Sequence, residues 1–274
     1  MSVDATTEAI AQTELTAEWQ PPMPPTDLIF DDGVPLETNR HRTAMNVLIR
    51  SLQQAWASRQ DFFTGGNMFV YYSSTQARNR DFRGPDFFAV LDIDGSYSRE
   101  GWVVWNEEGR YPNVIVELMS ESTAEIDTGI KKDIYERTFR TPDYFVFNPF
   151  DPNSLQGWHL DISQGYQPLA PNERGWLWCE TLGFWLGTWE GTVERQPAIW
   201  LRFYDEAGNL VLLPEEAAAQ QAETAQQQAE EQRQEAEVQR QQAEEQRQEA
   251  EVQRQRAERL AARLRELGED PENL

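Results

Sequence analysis

Residues 114–149 have the sequence VIVELMSESTAEIDTGIKKDIYERTFRTPDYFVFNP, which is the most informative part of the chain for predicting the fold class. It begins with a short, apolar and β-branched run that predicts a buried strand. Ser122 and Glu125 have the spacing of a capping box, which predicts a helix that continues to about Arg140. The apolar run at 143–149 predicts a second strand. Because a strand–helix–strand unit requires a right-handed crossover, we expect an α/β fold with at least one parallel strand pair in a mixed sheet.

The sequence before this unit predicts one helix and two further strands. The apolar residues of the helix have the spacing of one buried stripe, and Thr38 or Asn39 is its predicted N-cap. The stripe consists of Met45, Leu48, Ile49, Leu52 and Trp56. The strands are NMFVYYS at 67–73 and PDFFAVLDID at 85–94, which are rich in aromatic and β-branched residues. Residues 1–26 contain four prolines and no sustained periodicity, so we expect a flexible leader there.

Residues 151–214 predict a β-rich extension of the same domain. They contain short apolar segments separated by Gly, Pro, Asn and Asp, which is the pattern of hairpins that extend or cover a sheet. Six tryptophans lie in this region, namely Trp158, Trp176, Trp178, Trp185, Trp189 and Trp200. They either fill a packed β-layer or form a stacking platform for sugars or bases. We favour packing, because aromatic strands are common in protein cores.

Residues 215–274 predict a helical tail that resembles a coiled coil and is separable from the preceding domain. The sequence AEEQRQEAEVQRQQ at 229–242 returns almost unchanged at 243–256, two heptads later, with alanine at every seventh residue. The second seam position of each heptad is mostly Gln, so the helix has high propensity but a polar seam. It is either a solvated helix, which we favour for 215–256, or an oligomerisation strand. The end that carries Leu260, Leu264 and Leu267 is the better candidate for an interaction.

Composition limits the class of protein. The 274 residues include 47 acids and 24 bases, which gives a formal net charge of -23. This charge argues against a generic nucleic-acid binder, since such a protein needs a basic face. One Cys and two His provide neither an intramolecular disulfide nor a structural zinc site. Apolar runs are too short for a membrane helix and the first residues lack the pattern of a secretory signal, so we expect a cytoplasmic protein with no membrane partner.

Three charged residues near the strand–helix–strand unit form a candidate catalytic site. Asp86 begins one predicted strand, and Glu117 interrupts the otherwise apolar VIVELM. Lys131 lies on the helix, with Asp127 and Tyr135 one turn away on either side. Two carboxylates on neighbouring strands can hold a divalent cation, and a nearby lysine can stabilise negative charge on a phosphate. These residue types therefore suggest metal-dependent hydrolysis of phosphodiester bonds.

Structural explanations of the same residues remain open at this point. A structural explanation makes Glu117 a buried acid paired with Arg83 or Lys131, and Asp86 a turn residue after Pro85. Asp92 and Asp94, further along the same strand, are better explained as turn residues than as ligands.

The motifs PDFFAVLDIDG and VIVELM…DYFVFNP resemble the Uma-two family of restriction endonucleases, within the PD-(D/E)XK nuclease superfamily. The resemblance covers roughly residues 27–150. Its most specific part is E-x-x-S-x-S-T followed by D-x-x-x-K-x-x-x-Y, whereas the dipeptide PD alone is common by chance. The resemblance implies a nuclease-like core at 27–150, built as a restriction-endonuclease-like mixed sheet flanked by helices. The β-rich extension and the long helical tail would follow this core.

The resemblance also implies roles for single residues. Asp86 and Glu117 would bind Mg²⁺ or Mn²⁺, and Lys131 would be the catalytic lysine. The superfamily's usual Glu-x-Lys motif would place that lysine at position 119, where this chain has Met119, so the lysine would come from the helix instead. Lys132 is the neighbouring candidate, but its side chain leaves the helix roughly 100° away from that of Lys131.

Two residues of the first helix region match further family positions. Glu37 matches a helix-associated acid that some superfamily members add to the metal site. His41 matches a family position to which the resemblance assigns no role.

The expected function is Mg²⁺-dependent cleavage of DNA. A local basic strip of Arg78, Arg80 and Arg83 would contact the phosphates despite the acidic total charge. Further candidates on the first helix are Arg40, Arg42 and Arg50. We expect a homo-oligomer such as a dimer, with the tail as a candidate interaction helix. The alternative is a catalytically inactive nuclease fold that serves as a binding and oligomerisation module.

Overall fold

The computed structural model describes residues 23–31, 38–81 and 83–266. The chain divides into two compact units, and the division falls between Leu213 and Pro214. The helices of the described part are α1 (Asn39–Ala55), α2 (Ser74–Arg78), α3 (124–139) and α4 (Pro214–Glu266). Most of the predicted leader at 1–26 lies outside the described residues.

The strands of the described part belong to the first unit. They are β1 (Phe62–Gly65), β2 (Val70–Tyr71), β3 (Phe87–Leu91), β4 (Trp102–Val103), β5 (Val114–Leu118), β6 (Asp143–Asn148), β7 (Asp151–Asp161), β8 (Gly165–Pro168), β9 (Leu177–Cys179), β10 (Phe184–Val193) and β11 (Gln196–Tyr204). Six of them form one sheet in the order β1-β3-β5-β6-β7-β8. Only the β5–β6 pair of that sheet is parallel, and α3 connects the two strands. The predicted α/β fold with a mixed sheet is therefore confirmed.

Side-chain alternation along the strands divides the core between the two faces of the sheet. On one face, Phe87 and Val116 pack in a cluster with Leu48 of α1. On the other face, Phe88 and Ile115 pack in a cluster with Tyr135 and Phe139 of α3. Because successive side chains point to opposite faces, Asp86 and Glu117 belong to the face that α3 covers. The strand pattern alone thus places both acids beneath the helix that carries Lys131.

The β-rich extension both lengthens and covers the sheet. Strands β7 and β8 continue the six-stranded sheet, whereas β9, β10 and β11 form a separate antiparallel sheet. This second sheet packs on the α1 face, where the rings of Phe87 and Phe203 lie 6.0 Å apart. Trp158, Trp176 and Trp200 are at most 9% exposed, so these three tryptophans lie in the interior.

The region before β3 differs from the prediction of one strand at 67–73. Only Val70–Tyr71 is a strand, and it pairs in parallel with Trp102–Val103 outside the six-stranded sheet. The main sheet instead uses β1, whose last residue Gly65 and the following Gly66 locally favour a turn. Gly65 is required there by close approach, because a Cβ at this position would lie 2.5 Å from Cε1 of Phe88.

The long helix α4 contains 53 residues and has a length of roughly 80 Å. Residues 218–260 are exposed throughout, including the apolar Val238, Val252 and Leu260. The predicted seam residue Leu267 lies outside the described residues. No helix in the described part of the chain has both the length and the apolar character to cross a membrane.

Candidate active site

Asp86 and Glu117 are brought together by the antiparallel pairing of β3 and β5. Phe87 pairs with Val116, so the preceding residue Asp86 lies beside Glu117. The backbone N–H of Leu118 donates to Oδ2 of Asp86 at 2.8 Å. The backbone N–H of Asp86 donates to Oε2 of Glu117 at 3.4 Å. Each carboxylate is therefore oriented by the main chain of the neighbouring strand.

Helix α3 supplies the remaining contacts of Glu117. Nζ of Lys131 lies 3.1 Å from Oε2 of Glu117 and 2.8 Å from Oδ1 of Asp127. The hydroxyl of Tyr135 donates to Oε1 of Glu117 at 2.7 Å. Asp127, Lys131 and Tyr135 are spaced four residues apart and lie on one face of α3. All three side chains therefore point toward the cluster around Glu117.

The backbone of α3 is unusual at these positions. The helix is α-helical at Ala124–Ile126 and Lys132–Ile134, and π-helical at Asp127–Lys131 and Tyr135–Phe139. Single π-helical turns inside α-helices are rare and occur frequently at functional sites. Here both π-helical turns begin at a residue whose side chain contacts the Lys131–Glu117 cluster.

The start of α3 corrects one prediction. The N-cap is Thr123 and makes no side-chain capping bond. Instead, the Thr123 hydroxyl accepts the backbone N–H of Ser120, and the Ser122 hydroxyl lies 2.9 Å from that of Ser120. The predicted capping box is therefore wrong, because these hydroxyls stabilise the turn between β5 and α3.

Burial makes the charges of this cluster energetically costly. The side chains of Glu117 and Asp127 are 0% and 1% exposed, and that of Lys131 is 22% exposed. Asp86 is partly buried. Three acids thus surround one ammonium group in an environment where charges are costly unless paired. The local excess of negative charge favours a bound cation.

The protonation equilibria reflect this crowding. Burial, and after it the negative charge of Glu117, raises the pKa of Asp86 well above its ordinary value. Burial opposes the charge of Lys131, but the carboxylates of Glu117 and Asp127 outweigh that effect and raise its pKa. Burial and the nearby Glu117 raise the pKa of Tyr135, which keeps its hydroxyl protonated as a donor.

The residues present fit a hard divalent cation. Carboxylate oxygens are the ligands that Mg²⁺ and Mn²⁺ prefer, and Mg²⁺ is commonly held by one or two carboxylates together with water. Asp86 and Glu117 provide such a pair. Within the described residues, no group of three or more His, Cys, Asp or Glu side chains is arranged to hold a metal ion. Glu37, the third acid that the family resemblance suggested, lies outside the described residues.

The two neighbouring lysines have different environments. Nζ of Lys132 lies 4.3 Å above the ring of Trp158, in a cation–π contact on another side of α3. Lys131 is thus the lysine that reaches Glu117.

His41 is a buried residue whose contacts could not be assigned from sequence. It is 3% exposed, and its Nε2 lies 3.4 Å from the carbonyl oxygen of Met119. Its Nδ1 lies 2.9 Å from the hydroxyl of Thr38, the N-cap of α1. His41 therefore links the start of α1 to the end of β5, two residues after Glu117.

The candidate basic residues differ in availability. Arg78 and Arg80 are exposed at the end of α2, whereas Arg83 is 18% exposed and lies 2.5 Å from Asp81. Two arginines of α1 are engaged in contacts within the fold. Arg40 lies over Phe150, and Arg42 lies 2.8 Å from Glu194.

Comparison with known proteins gives three results. A family model named Uma2, described as "Putative restriction endonuclease", matches residues 18–193, which is more than half of the chain. A crystal structure of a "putative nuclease belonging to DUF820" from Anabaena variabilis is similar with a TM-score of 0.37 and 11% identity, over 58% of this chain and 86% of that chain. Glycerol kinases of Listeria monocytogenes and Listeria innocua are 32% identical over 108 residues, which are 39% of this chain. The matched stretch spans only 21% of the length of those kinases.

Proposed function

The chain belongs to the Uma2 family of restriction-endonuclease-like proteins, and on this premise we propose that it is a metal-dependent endonuclease that hydrolyses phosphodiester bonds of DNA. The observation that carries the proposal is the contact of Lys131 with Glu117, beside Asp86. A paired carboxylate site and an ammonium group are the groups that phosphodiester hydrolysis needs.

Asp86 and Glu117 are the residues that would hold Mg²⁺ or Mn²⁺. A divalent cation in this position supplies Lewis-acid activation of the phosphate and lowers the pKa of a bound water. Main-chain N–H groups fix the orientation of both carboxylates, and Tyr135 fixes the second oxygen of Glu117. The chain therefore orients two neighbouring carboxylates that could serve as oxygen ligands.

Lys131 is the proposed catalytic lysine. Its ammonium group is held beside Glu117, where it can stabilise the negative charge that develops on the phosphate during attack by water. The exposed Arg78 and Arg80 are the proposed contacts to the DNA backbone. Such contacts are needed because the net charge of -23 opposes the approach of DNA.

The proposal is tested on the full chain with four variants. They are Asp86→Asn, Glu117→Gln, Lys131→Ala and, as the matched control, Lys132→Ala. Mn²⁺ binding is measured by calorimetry, and cleavage by nicking of a supercoiled plasmid in Mg²⁺. Both carboxylate variants should lose roughly 10-fold or more in Mn²⁺ affinity, since each removes one ligand charge. Lys131→Ala should bind Mn²⁺ at least as tightly as the parent and lose roughly 100-fold or more in cleavage rate.

The control variant and the contrary outcomes are also defined. Lys132→Ala should change neither reading by more than about 3-fold, because Lys132 contacts Trp158 instead of the site. Unchanged Mn²⁺ affinity in both carboxylate variants, or loss of cleavage on changing Lys132, would show that the assignment is wrong. A parent protein that neither binds Mn²⁺ nor nicks DNA would favour an inactive nuclease fold with α4 as its working part.

A further inference from the structure

Asp127 is a buried carboxylate to which the proposed reaction gives no task. Its side chain is 1% exposed, and its Oδ1 lies 2.8 Å from Nζ of Lys131. The carbonyl oxygen of Asp127 accepts the hydroxyl of Tyr144 at 2.7 Å, which anchors this turn of α3 to β6. A buried acid is costly to maintain, so a specific partner must justify it. The contact with Lys131 identifies that partner.

Both oxygens of Glu117 are occupied before any cation binds. Oε1 accepts the hydroxyl of Tyr135, and Oε2 contacts Nζ of Lys131 at 3.1 Å. Oε2 is also the oxygen nearest the backbone N–H of Asp86. The ammonium group of Lys131 therefore lies against the oxygen that faces Asp86, where a divalent cation would have to bind. A cation there and an ammonium group in contact with the same oxygen would repel each other strongly.

We propose that Asp127 is a positioning residue that holds Lys131 when a divalent cation takes its place at Glu117. This inference rests on the proposed function, because it requires a cation between Asp86 and Glu117. The ammonium group already contacts both acids, so its transfer to Asp127 needs only a small rotation of its side chain. Asp127 thereby lowers the cost of cation binding and keeps the catalytic lysine beside the site.

Formal charge supports this assignment. In the cation-free site, the carboxylates of Asp86, Glu117 and Asp127 exceed the single ammonium group of Lys131 by two negative charges when all are ionised. One divalent cation would balance that excess. Without Asp127, the cation and the ammonium group would together exceed the two remaining carboxylates by one positive charge. Buried charges are stable when they are balanced by close partners, so the third acid suits the cation-loaded site.

A direct ligand role for Asp127 is the competing explanation. It is disfavoured because Oδ1 of Asp127 contacts Nζ of Lys131, whereas Asp86 and Glu117 lie side by side on paired strands. The two explanations also differ in their dependence on Lys131. A ligand would contribute to metal affinity whether or not the lysine is present, whereas a positioning residue acts through the lysine.

A double-mutant cycle on the full chain separates these roles. The variants are Asp127→Asn, Lys131→Met and the double variant, and the measurement is Mn²⁺ affinity by calorimetry. In the parent background, Asp127→Asn should weaken Mn²⁺ binding roughly 10-fold, the lower end of the effect of outer partners of metal ligands. In the Lys131→Met background, the same change should weaken it by no more than about 3-fold, because no lysine remains to be held.

Two further variants test the inference even if Asp127→Asn fails to fold. Lys131→Met alone should tighten Mn²⁺ binding several-fold, because the competing ammonium group is gone. Asp133→Asn removes the same charge from an exposed position of α3 and should leave Mn²⁺ affinity within about 2-fold.

The outcomes distinguish this inference from the proposed function. Equal losses from Asp127→Asn in both backgrounds would overturn the positioning role and show a ligand or a general charge effect. Weaker Mn²⁺ binding by Lys131→Met would also overturn it. In either case the metal site itself would stand. A parent that binds no Mn²⁺ would overturn the proposed function and this inference together.

Discussion

Glu117 was recognisable in the sequence because a charged side chain interrupts an apolar strand, and the structure buries that side chain completely. The spacing from Asp127 to Lys131 and Tyr135 was equally visible, since residues four apart share a helix face. The contact of His41 with the carbonyl of Met119 could not be predicted. It joins residues 78 positions apart, and no local pattern specifies such a pairing.

The pKa of Asp86 predicts a conflict between stability and metal binding. An acid whose pKa is raised on folding contributes stability at low pH and loses that contribution as the pH rises through the raised pKa. The Asp86 carboxylate therefore destabilises the metal-free fold at neutral pH. Asp86→Asn should therefore stabilise the metal-free fold at pH 7, because it removes a buried carboxylate whose ionisation opposes folding. Thermal unfolding of the metal-free protein at pH 4 and pH 7 measures this, and the gain should shrink toward pH 4.

A second aspartate provides a control of opposite sign. Hydrogen bonds from the hydroxyl and N–H of Ser96 lower the pKa of Asp94, so its ionised form favours folding above its unfolded pKa. Asp94→Asn should therefore lower the melting temperature slightly at pH 7. A lower melting temperature for Asp86→Asn at pH 7 would contradict the prediction.

The elements that the sequence predicted correctly are those with long, regular patterns. The strand–helix–strand unit of β5, α3 and β6 and the stripe of α1 show periodicities that tertiary contacts reinforce. The strand β1 was missed because it is four residues long and ends in glycine, which locally favours a turn. The π-helical turns of α3 were also unpredictable, because they depend on how the helix packs and not on its composition.

The short helix α2 carries the arginines that are the proposed contacts to DNA, so DNA binding is tested there. Each arginine that contacts a phosphate adds nearly one unit to the slope of log affinity against log salt concentration. The double variant Arg78→Ala/Arg80→Ala should weaken DNA binding and lower this slope by about 2. The measurement is fluorescence anisotropy of a labelled duplex at several salt concentrations with Ca²⁺ present.

Arg195→Asn is the control for that experiment. Arg195 is exposed in the β10–β11 turn with a φ of 66°, a left-handed conformation that Asn tolerates. The slope of log affinity against log salt concentration should be the same for the Arg195→Asn variant as for the parent. An unchanged slope in the α2 variant would place the DNA-binding surface elsewhere.

The chain combines an aromatic-rich first unit with a helix that has no aromatic residues. Burial of apolar area is the main source of folding free energy, and the two units differ most in this property. Among its described residues, the first unit contains three clusters of buried apolar residues. Residues 218–260 of α4 are exposed without exception, and their seam is mostly Ala and Gln.

The stability of the first unit should therefore be nearly independent of most of α4. A chain that ends at Ala217 keeps the partly buried first residues of the helix, and it lacks residues 218–260, which are exposed throughout. Its melting temperature should lie within about 2 °C of the parent value, since a change of 1 kcal/mol shifts a domain of this size by roughly 2–4 °C. Calorimetry of both chains at equal concentration measures this difference. A fall of 10 °C in the shortened chain would contradict this prediction. So would a melting temperature that rises with protein concentration in the parent but not in the shortened chain, which would show that α4 stabilises the fold through an assembly.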